Sequence, residues 1–330
     1  MTIQQMLLGV SSGGDASSFD ITLTNISKGR TFGTATLTNS NSSLLVTSNW
    51  GYSGYYAFLI PANDTYRIEA RGVNGTYSPV SSPATPENYG ARIIADVAVT
   101  AGNVLIFMAG QQSAYATSDG QGSGGGGMSG AAISSTTTNS QSSVNNATAL
   151  VIAGGGGGSA YNGHYNYTTS TSRGYANTGT VGRAGLHSGY SAEGHGWPVG
   201  YGGQASTASG YSVAGWNGGG YNSGGSGNSA RSGGTHGEGF RYGAVGGYGD
   251  SSSSPSQYGE GGFGGGGGGS TNCGYGGGGG GYSGGGPGGY SGNCGGHGGG
   301  GGSYYTGTLY SSSNYSTQYG YIRIRSSDLY

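Results

Sequence analysis

The residue types that carry most enzyme chemistry are scarce in this chain and show no catalytic spacing. None of the five histidines forms the i, i+4 pair with which a helix presents two zinc ligands. The best metal-like stretch is "HSGYSAEGH", from His187 to His195 with Glu193 between them, and we interpret it as a polar loop. Carboxylates are also sparse, so nothing selects a glycosidase pair. We therefore predict a protein that is not an enzyme, with no metal and no cofactor.

Tyrosine-rich segments between the glycine runs have a chemistry suited to recognition. They include "SAYNGHYNYTTSTSRGYAN", "HSGYSAEGHGWPVGYGG" and "SGYSVAGWNGGGYNS". Evolved binding surfaces use this composition because Tyr and Trp supply rigid amphipathic area, while Ser and Asn supply adaptable hydrogen bonds. Stacking faces next to short polar groups also suit glycans. The candidate receptor-binding residues are Tyr165, Tyr167, Tyr190, His195, Trp197, Tyr201, Tyr211, Trp216, Tyr221, Phe240, Arg241, Tyr242 and Tyr258.

A second interpretation of these aromatic residues stays open. A layer of glycines has no side chains with which to form a core, so the rings could simply cover it. Trp197 and Trp216 lie outside the longest glycine runs, which favours the binding interpretation for the set as a whole.

Composition excludes several classes of partner. The chain has 82 Gly in 330 residues, only 7% charged residues and a net charge of −1, without a basic cluster, so we expect no nucleic-acid partner. No stretch approaches the roughly 18 apolar residues of a membrane-spanning helix, so we expect no membrane insertion. The first residues, "MTIQQMLLGVSSGGD", lack the basic region of a secretory signal, which predicts synthesis in a cytoplasm.

The only cysteines, Cys273 and Cys294, both lie in the glycine-rich tract. A disulfide between them and a pair of reduced, buried thiols are equally compatible with the sequence.

The chain divides into four regions by composition. Residues 1–50 form an N-terminal attachment or assembly segment with short strands, and residues 51–153 carry the sandwich strands and the first glycine run. Residues 154–305 are the glycine-rich part with Tyr/Ser/Asn loops, and residues 306–330 supply a closing strand, "QYGYIRIRS", that returns to the sandwich. In that strand, Tyr and Arg alternate with Gly and Ile. Other strand-like runs are "FDITLTNIS", "YYAFLIP", "DTYRIEARGV", "ARIIADVAVT", "NVLIFMAGQ" and "ATALVIAG".

No run shows a sustained helical period, so the predicted fold class is all-β, essentially without α-helix. We expect a jelly-roll-like β-sandwich fused to a bundle of polyglycine II helices.

Polyglycine can be rigid when several runs pack side by side. A single run in the threefold extended conformation, rising about 3.1 Å per residue, leaves its N–H and C=O groups unpaired, whereas neighbouring runs can exchange hydrogen bonds. The runs at 264–269 and 276–281 would each extend about 19 Å at that rise. A flexible Gly/Ser linker is the alternative. The aromatic residues that separate the glycine runs and the closing strand that follows them favour the bundle.

One resemblance is specific to these residues. The run "FGGGGGGSTNCGYGGGGGGYSGG" resembles the glycine-rich domain of the anaplastic lymphoma kinase and leukocyte tyrosine kinase receptor ectodomains. "IPANDTYRIEARGVNG", "GARIIADVAVTAGNVLIFMAGQQ" and "ALVIAGGGGG" are similar to strands of that domain and occur in the same order, so the match covers about residues 50–325. The resemblance implies a jelly-roll-like sandwich fused to hydrogen-bonded polyglycine helices. The receptor function does not transfer, because the kinase domain and membrane span are missing.

The first fifteen residues resemble instead the start of bacteriophage structural and tail proteins, and the chain is also similar to phage tail-fibre adhesins with polyglycine-helix bundles. We therefore expect a non-enzymatic virion protein, a tail-fibre or surface adhesin that binds a host-surface glycan or protein. Its N-terminal region would contact other virion proteins, and the chain could form a homo-oligomer. The alternative is a self-assembling structural subunit of an extracellular fibre or virion coat.

Overall fold

The computed structural model describes most of the chain, with gaps in both halves. The described residues are 18–76, 88–113, 122–160, 174–185, 236–249, 259–269, 275–288, 296–315 and 317–330.

Twelve strands and one short helix make up the regular structure of the described residues. The strands are β1 (Asp20–Asn25), β2 (Ala35–Asn39), β3 (Thr47–Ser48), β4 (Tyr56–Leu59), β5 (Asp64–Arg71), β6 (Gly90–Val99), β7 (Val104–Met108), β8 (Ser129–Ser134), β9 (Thr148–Ala153), β10 (Tyr304–Tyr305), β11 (Thr308–Tyr315) and β12 (Gly320–Arg325). Helix α1 (Gln141–Asn145) begins at Ser140, whose hydroxyl accepts a hydrogen bond from the Ser143 N–H. Single 3₁₀ turns occur at Phe240–Tyr242 and Ser327–Leu329. The all-β prediction is confirmed.

The strands form two six-stranded antiparallel sheets. Sheet 1 has the order β11-β6-β5-β12-β1-β2, and sheet 2 has the order β10-β9-β8-β7-β4-β3. The closing strand β12 lies between β5 and β1, inside sheet 1, so the last and first described strands pair directly. The described part of residues 1–50 therefore belongs to the sandwich itself, because β1 and β2 are strands of sheet 1.

Alternating side chains place the hydrophobic core between the sheets. In β12, Gly320, Ile322 and Ile324 are buried while Tyr321 and Arg323 are partly exposed, as the sequence predicts. Aromatic rings fill the space between the sheets: Phe19 packs edge-on against Phe58 and Tyr66, with ring centroids 5.4 and 5.0 Å apart. A second buried cluster covers sheet 2 on its other side.

Glycine-rich segments extend from the ends of several strands, beyond one end of the sandwich. We call them the glycine scaffold and define it as residues 72–76, 122–128, 154–160, 259–269, 275–288 and 296–303. Residues 72–76 follow β5, residues 122–128 lead into β8, and residues 154–160 follow β9. Nearly all described glycines of these segments are buried.

Candidate functional site

Backbone hydrogen bonds join the segments of the glycine scaffold with a period of three residues. Along one segment, residues three apart donate to the same neighbouring segment, and the residues between them donate elsewhere. In residues 154–160 the pairs are Gly155 to Gly280 O (2.7 Å), Gly158 to Gly277 O (2.7 Å), Gly156 to Val73 O (2.9 Å), Ser159 to Thr76 O (3.1 Å) and Gly157 to Gly174 O (2.8 Å). In residues 275–288 they are Gly276 to Gly296 O (3.0 Å), Gly279 to Gly299 O (2.9 Å), Gly277 to Ser123 O (3.0 Å) and Gly280 to Gly126 O (3.0 Å). One segment therefore binds neighbours on several sides, which a flat sheet strand does not do.

The close approach of these segments requires glycine. A Cβ built on Gly279 would lie 2.8 Å from the carbonyl carbon of Gly155 and 2.9 Å from the oxygen of Gly156. Both distances are shorter than the 3.5 to 4.0 Å at which carbon atoms normally pack, by about 0.6 Å or more. At Gly279, any other residue type would therefore require the neighbouring backbone to move.

The scaffold has one end at the sheets and one end away from them. Met128 leads directly into β8 and Gly154 directly follows β9, so the opposite ends of these two segments, near Ser123 and Ser159, lie away from the sandwich. There the Ser123 N–H donates to the Ser159 carbonyl at 3.0 Å. We call this end, with the residues bonded to it, the distal end.

Six segments that lie outside the described residues have their flanking residues at this distal end. Gly288 donates to Gly276 at 2.9 Å and Gly276 to Gly296 at 3.0 Å, so both flanks of residues 289–295 share one neighbour. The residues that flank five further stretches lie at the same end: 77–87, 114–121, 161–173, 250–258 and 270–274. Four hydrogen bonds place these flanking residues: Thr76 Oγ1 with Ser113 Oγ (2.5 Å), Asn88 Nδ2 to Gly157 O (2.6 Å), Ala160 N to His297 Nδ1 (3.1 Å) and Gly269 N to Gly259 O (2.7 Å). In addition, Gly122 packs closely against Tyr275, and Gly268 packs closely against Gly249.

Ten of the thirteen candidate receptor-binding residues fall in these stretches or in residues 186–235, which leave the scaffold at Gly185 beside Pro287 and Gly288. They lie outside the described residues: Tyr165, Tyr167, Tyr190, His195, Trp197, Tyr201, Tyr211, Trp216, Tyr221 and Tyr258. Cys273 and Cys294 also lie outside the described residues.

The other three candidates lie at the opposite end, against sheet 2. Phe240 is fully buried, its ring 5.0 Å from that of Tyr55, whose hydroxyl donates to the Phe240 carbonyl at 2.5 Å. Arg241 donates to the carbonyl of Ala147 at 2.7 Å, next to helix α1. Tyr242 is 52% exposed. The structure therefore does not bring this trio to the distal end, and of the three only Tyr242 is exposed.

His297 contacts the glycine scaffold at its distal end. Burial lowers the pKa of His297 to about 4, so the ring is neutral at pH 7. Its Nδ1 accepts a hydrogen bond from the Ala160 N–H at 3.1 Å. His297 thus completes the hydrogen bonding of the scaffold at the distal end.

Two carboxyl groups approach Arg30 on the loop between β1 and β2. Burial raises the pKa of both Glu238 and Glu260, and the nearby Arg30 charge opposes that shift. The Arg30 guanidinium lies 3.5 Å from the ring centroid of Tyr248 and donates to the Gly246 carbonyl at 3.2 Å. These contacts hold the loop against residues 238–248 and against Glu260 of the glycine scaffold. Within the described residues, no group of three or more His, Cys, Asp or Glu side chains could hold a metal ion.

Sequence reasoning missed a charged and aromatic surface on the outer face of sheet 1. This face carries five of the eleven basic residues of the chain: Arg67, Arg71, Arg92, Arg323 and Arg325. Its ion pairs are Arg67 to Asp96 (2.7 Å), Arg71 and Arg92 to Glu69 (both 2.7 Å) and Arg323 to Asp20 (2.5 Å). The alternation in "DTYRIEAR" and "YIRIR" was the available signal, but the grouping depends on which strands pair.

Tyrosine rings cover the guanidinium groups of this face. Arg67 lies 4.1 Å from the ring centroids of both Tyr310 and Tyr330, and Arg71 lies 4.8 Å from that of Tyr315. The Arg67 guanidinium also holds the pKa of Asp96 below its usual range. Three carboxylates of this face thus pair with four of its five arginines, and tyrosine rings lie over two of those arginines.

Comparison with known proteins adds no assignment. No protein-family model matches the chain, and no curated protein matches it. Among the described residues, no helix has both the length and the apolar character needed to cross a bilayer.

Proposed function

We propose that this chain is a non-enzymatic virion adhesin whose Tyr- and Trp-rich loops bind a glycan or protein on a host surface. In this proposal the glycine scaffold is a bundle of polyglycine II helices. The three-residue period of its hydrogen bonds supports that conformation, because polyproline II-type helices have three residues per turn.

The observation that carries the proposal is the position of the residues that flank these segments. Both flanks of six segments are hydrogen-bonded or packed into one scaffold on the side away from the sheets, and Gly185, which precedes the segment with Trp197 and Trp216, packs beside Pro287 and Gly288. Binding residues are often carried by loops that a rigid framework positions, as in antibody variable domains. The composition of these stretches, rich in Tyr, Ser, Gly and Asn, is the composition of such binding surfaces.

The virion location rests on resemblance. The start of the chain resembles phage structural proteins, and the glycine runs are similar to those of phage tail-fibre adhesins. We propose that the protein is made in the host cytoplasm and assembles into the virion through contacts of its N-terminal region with other structural proteins. Nucleic acid and membrane are not among its proposed partners.

A binding assay with labelled full-length protein and intact host cells tests the proposal. Replacing Trp197 and Trp216 together by Ala should weaken binding by about tenfold or more, since Trp residues dominate binding energy at interfaces. The urea midpoint of unfolding should stay unchanged. Tyr242→Ser is the matched aromatic control, because Tyr242 is exposed at the sheet end of the molecule.

Three outcomes would contradict the proposal. Unchanged binding by the double variant would remove the two tryptophans from the site. A lowered unfolding midpoint would show that they cover the scaffold instead. Loss of binding in Tyr242→Ser alone would move the site to the sheet end.

The alternative function, a self-assembling structural subunit, is favoured by one feature of the described chain. Sheet 1 ends in β11, a strand of eight residues with no further strand of the described chain on its outer side. A fibre subunit would grow with concentration without limit, whereas an adhesin would have a fixed size.

A further inference from the structure

The edges of the two sheets differ in length. Sheet 2 ends on both sides in strands of two residues, β3 and β10. Sheet 1 ends in β2, with five residues, and in β11, with eight. Very short edge strands are one way in which proteins prevent pairing with other chains. Sheet 2 has this protection on both sides, and β11 does not.

The composition of β11 also lacks the usual protection. Its sequence, TLYSSSNY, contains no charged residue and no proline, although the next strands β6 and β5 carry three arginines on their outer face. Seven of its eight residues are exposed, and Tyr310 is 63% exposed. On one side β11 pairs with β6, and no strand of the described chain pairs with the other side. Among the described residues, the outward-facing N–H and C=O groups of β11 therefore have no strand partner.

The side chains of β11 are already held in place. Tyr310 stacks on Arg67 and Tyr315 on Arg71. Pairing with another strand would therefore cost little additional side-chain entropy at these two rings. A bulge between Leu309 and Ser311 interrupts the regular register, which leaves Ser311–Tyr315 as the regular stretch.

We propose that β11 pairs antiparallel with β11 of a second copy of this chain, about a two-fold axis at Ser313. In this register Ser313 lies opposite Ser313 of the second copy, and Tyr315 lies opposite Ser311. The pairing keeps every side chain on its own face of the sheet. A residue and the one opposite it differ by an even number of positions, and such residues share a face. No charge meets a like charge, since the strand is uncharged. Sheet 1 then runs continuously through both copies.

The two-fold arrangement closes after two copies. Both copies contribute the same edge strand to the contact, so no third copy can pair there. The expected assembly is therefore a dimer and not a fibre. A head-to-tail pairing of β11 with β2 of the next copy would instead leave β2 and β11 free at the ends and would grow without limit. The size of the assembly therefore separates the two arrangements.

The experiment measures mass against concentration by analytical ultracentrifugation of the full chain, from about 1 to 100 μM, the range of weak and transient association. Wild type should move from monomer to dimer and stop there. Ser313→Lys should weaken dimerisation by at least tenfold, because it places two lysines directly opposite at the axis, about 5 Å apart at Cβ. Ser313→Glu should do the same. An equimolar mixture of the two variants should restore a dimer through the opposite charges.

Thr38→Lys is the matched control on the other open edge of sheet 1, where Thr38 is exposed in β2. It should dimerise as wild type does. The unfolding midpoint of Thr38→Lys should match that of wild type, since exposed substitutions rarely cost more than about 0.5 kcal/mol. Ser313 lies opposite Arg92 of β6, so Ser313→Lys should be slightly less stable than Ser313→Glu, and weaker dimerisation by both variants separates the interface effect from this one. The proposal is wrong if wild type stays monomeric over this range. It is also wrong if it grows beyond a dimer, or if Thr38→Lys disrupts the assembly as Ser313→Lys does.

Discussion

Replacing Gly279 by Ala tests the rigidity of the glycine scaffold. A flexible linker would accept Ala at this position, and its unfolded state would even lose entropy, which stabilises a protein by about 0.4 to 1 kcal/mol. The structure predicts the opposite sign. The new Cβ would lie 2.8 Å from the Gly155 carbonyl carbon and 2.9 Å from the Gly156 oxygen, so the segment 154–160 must move.

The magnitude follows from what that movement breaks. Overpacking a closely packed interior costs about 1 to 3 kcal/mol. The displaced segment is held by hydrogen bonds from Gly155 to Gly280 at 2.7 Å and from Gly301 to Gly155 at 2.9 Å. Weakening one or two such bonds, at about 0.5 to 1.5 kcal/mol each, brings the expected destabilisation to about 1.5 to 6 kcal/mol.

Gly179→Ala is the matched control. Gly179 is exposed, and a Cβ there would meet only the Asn177 side chain, at an ordinary 3.5 Å. Its free energy of unfolding should equal that of wild type or exceed it slightly. Urea unfolding gives both midpoints, and hydrogen exchange of peptides from 275–288 shows whether the scaffold itself is affected. Equal stability of the two variants would refute the steric reasoning, as would wild-type amides in 275–288 that exchange as fast as those of an unstructured peptide.

Two further predictions concern the sandwich. Asp96→Asn should destabilise the protein at pH 7 by about 0.2 to 1 kcal/mol, the range of partly exposed ion pairs. Because Arg67 lowers the pKa of Asp96 in the folded state, the pair stabilises fully above about pH 4 and less as the pH falls through the folded pKa. The difference between variant and wild type in thermal midpoint should therefore shrink towards pH 2, and a constant difference would contradict it. Tyr55→Phe should cost about 1 kcal/mol in urea unfolding, because the Phe240 carbonyl loses its 2.5 Å hydrogen bond; an unchanged midpoint would show that this bond adds nothing.

Most of the sandwich could be predicted from the sequence. The apolar and β-branched runs locate β4, β5, β6, β7 and β9 to within three residues, because their side chains alternate or are continuously apolar. The strands that the sequence did not reveal are those without such a pattern. β8 reads SGAAIS and β11 reads TLYSSSNY, and both are held in place by pairing with β7 and β6 rather than by their own hydrophobicity.

The candidate site could be predicted only in part. Aromatic composition selects the segments between the glycine runs, but it does not distinguish a ring at a surface from a ring in the core. Phe240 shows this limit: the sequence around it resembles the other loops, yet its side chain is fully buried against Tyr55. The difference arises because Phe240 folds back onto sheet 2, a contact between residues 185 positions apart.

The sequence by itself determined the all-β class, the inward and outward faces of each patterned strand, and the positions where backbones can approach closely. These properties are local, since they depend on side-chain alternation or on the absence of a Cβ. Only the tertiary structure decided which glycine runs are neighbours, that their ends meet on one side, and that five arginines share the outer face of sheet 1. The physical reason is that glycine runs are chemically alike. Their backbone hydrogen bonds do not distinguish one glycine run from another, so the neighbours of each run are determined by the strands that hold it in place.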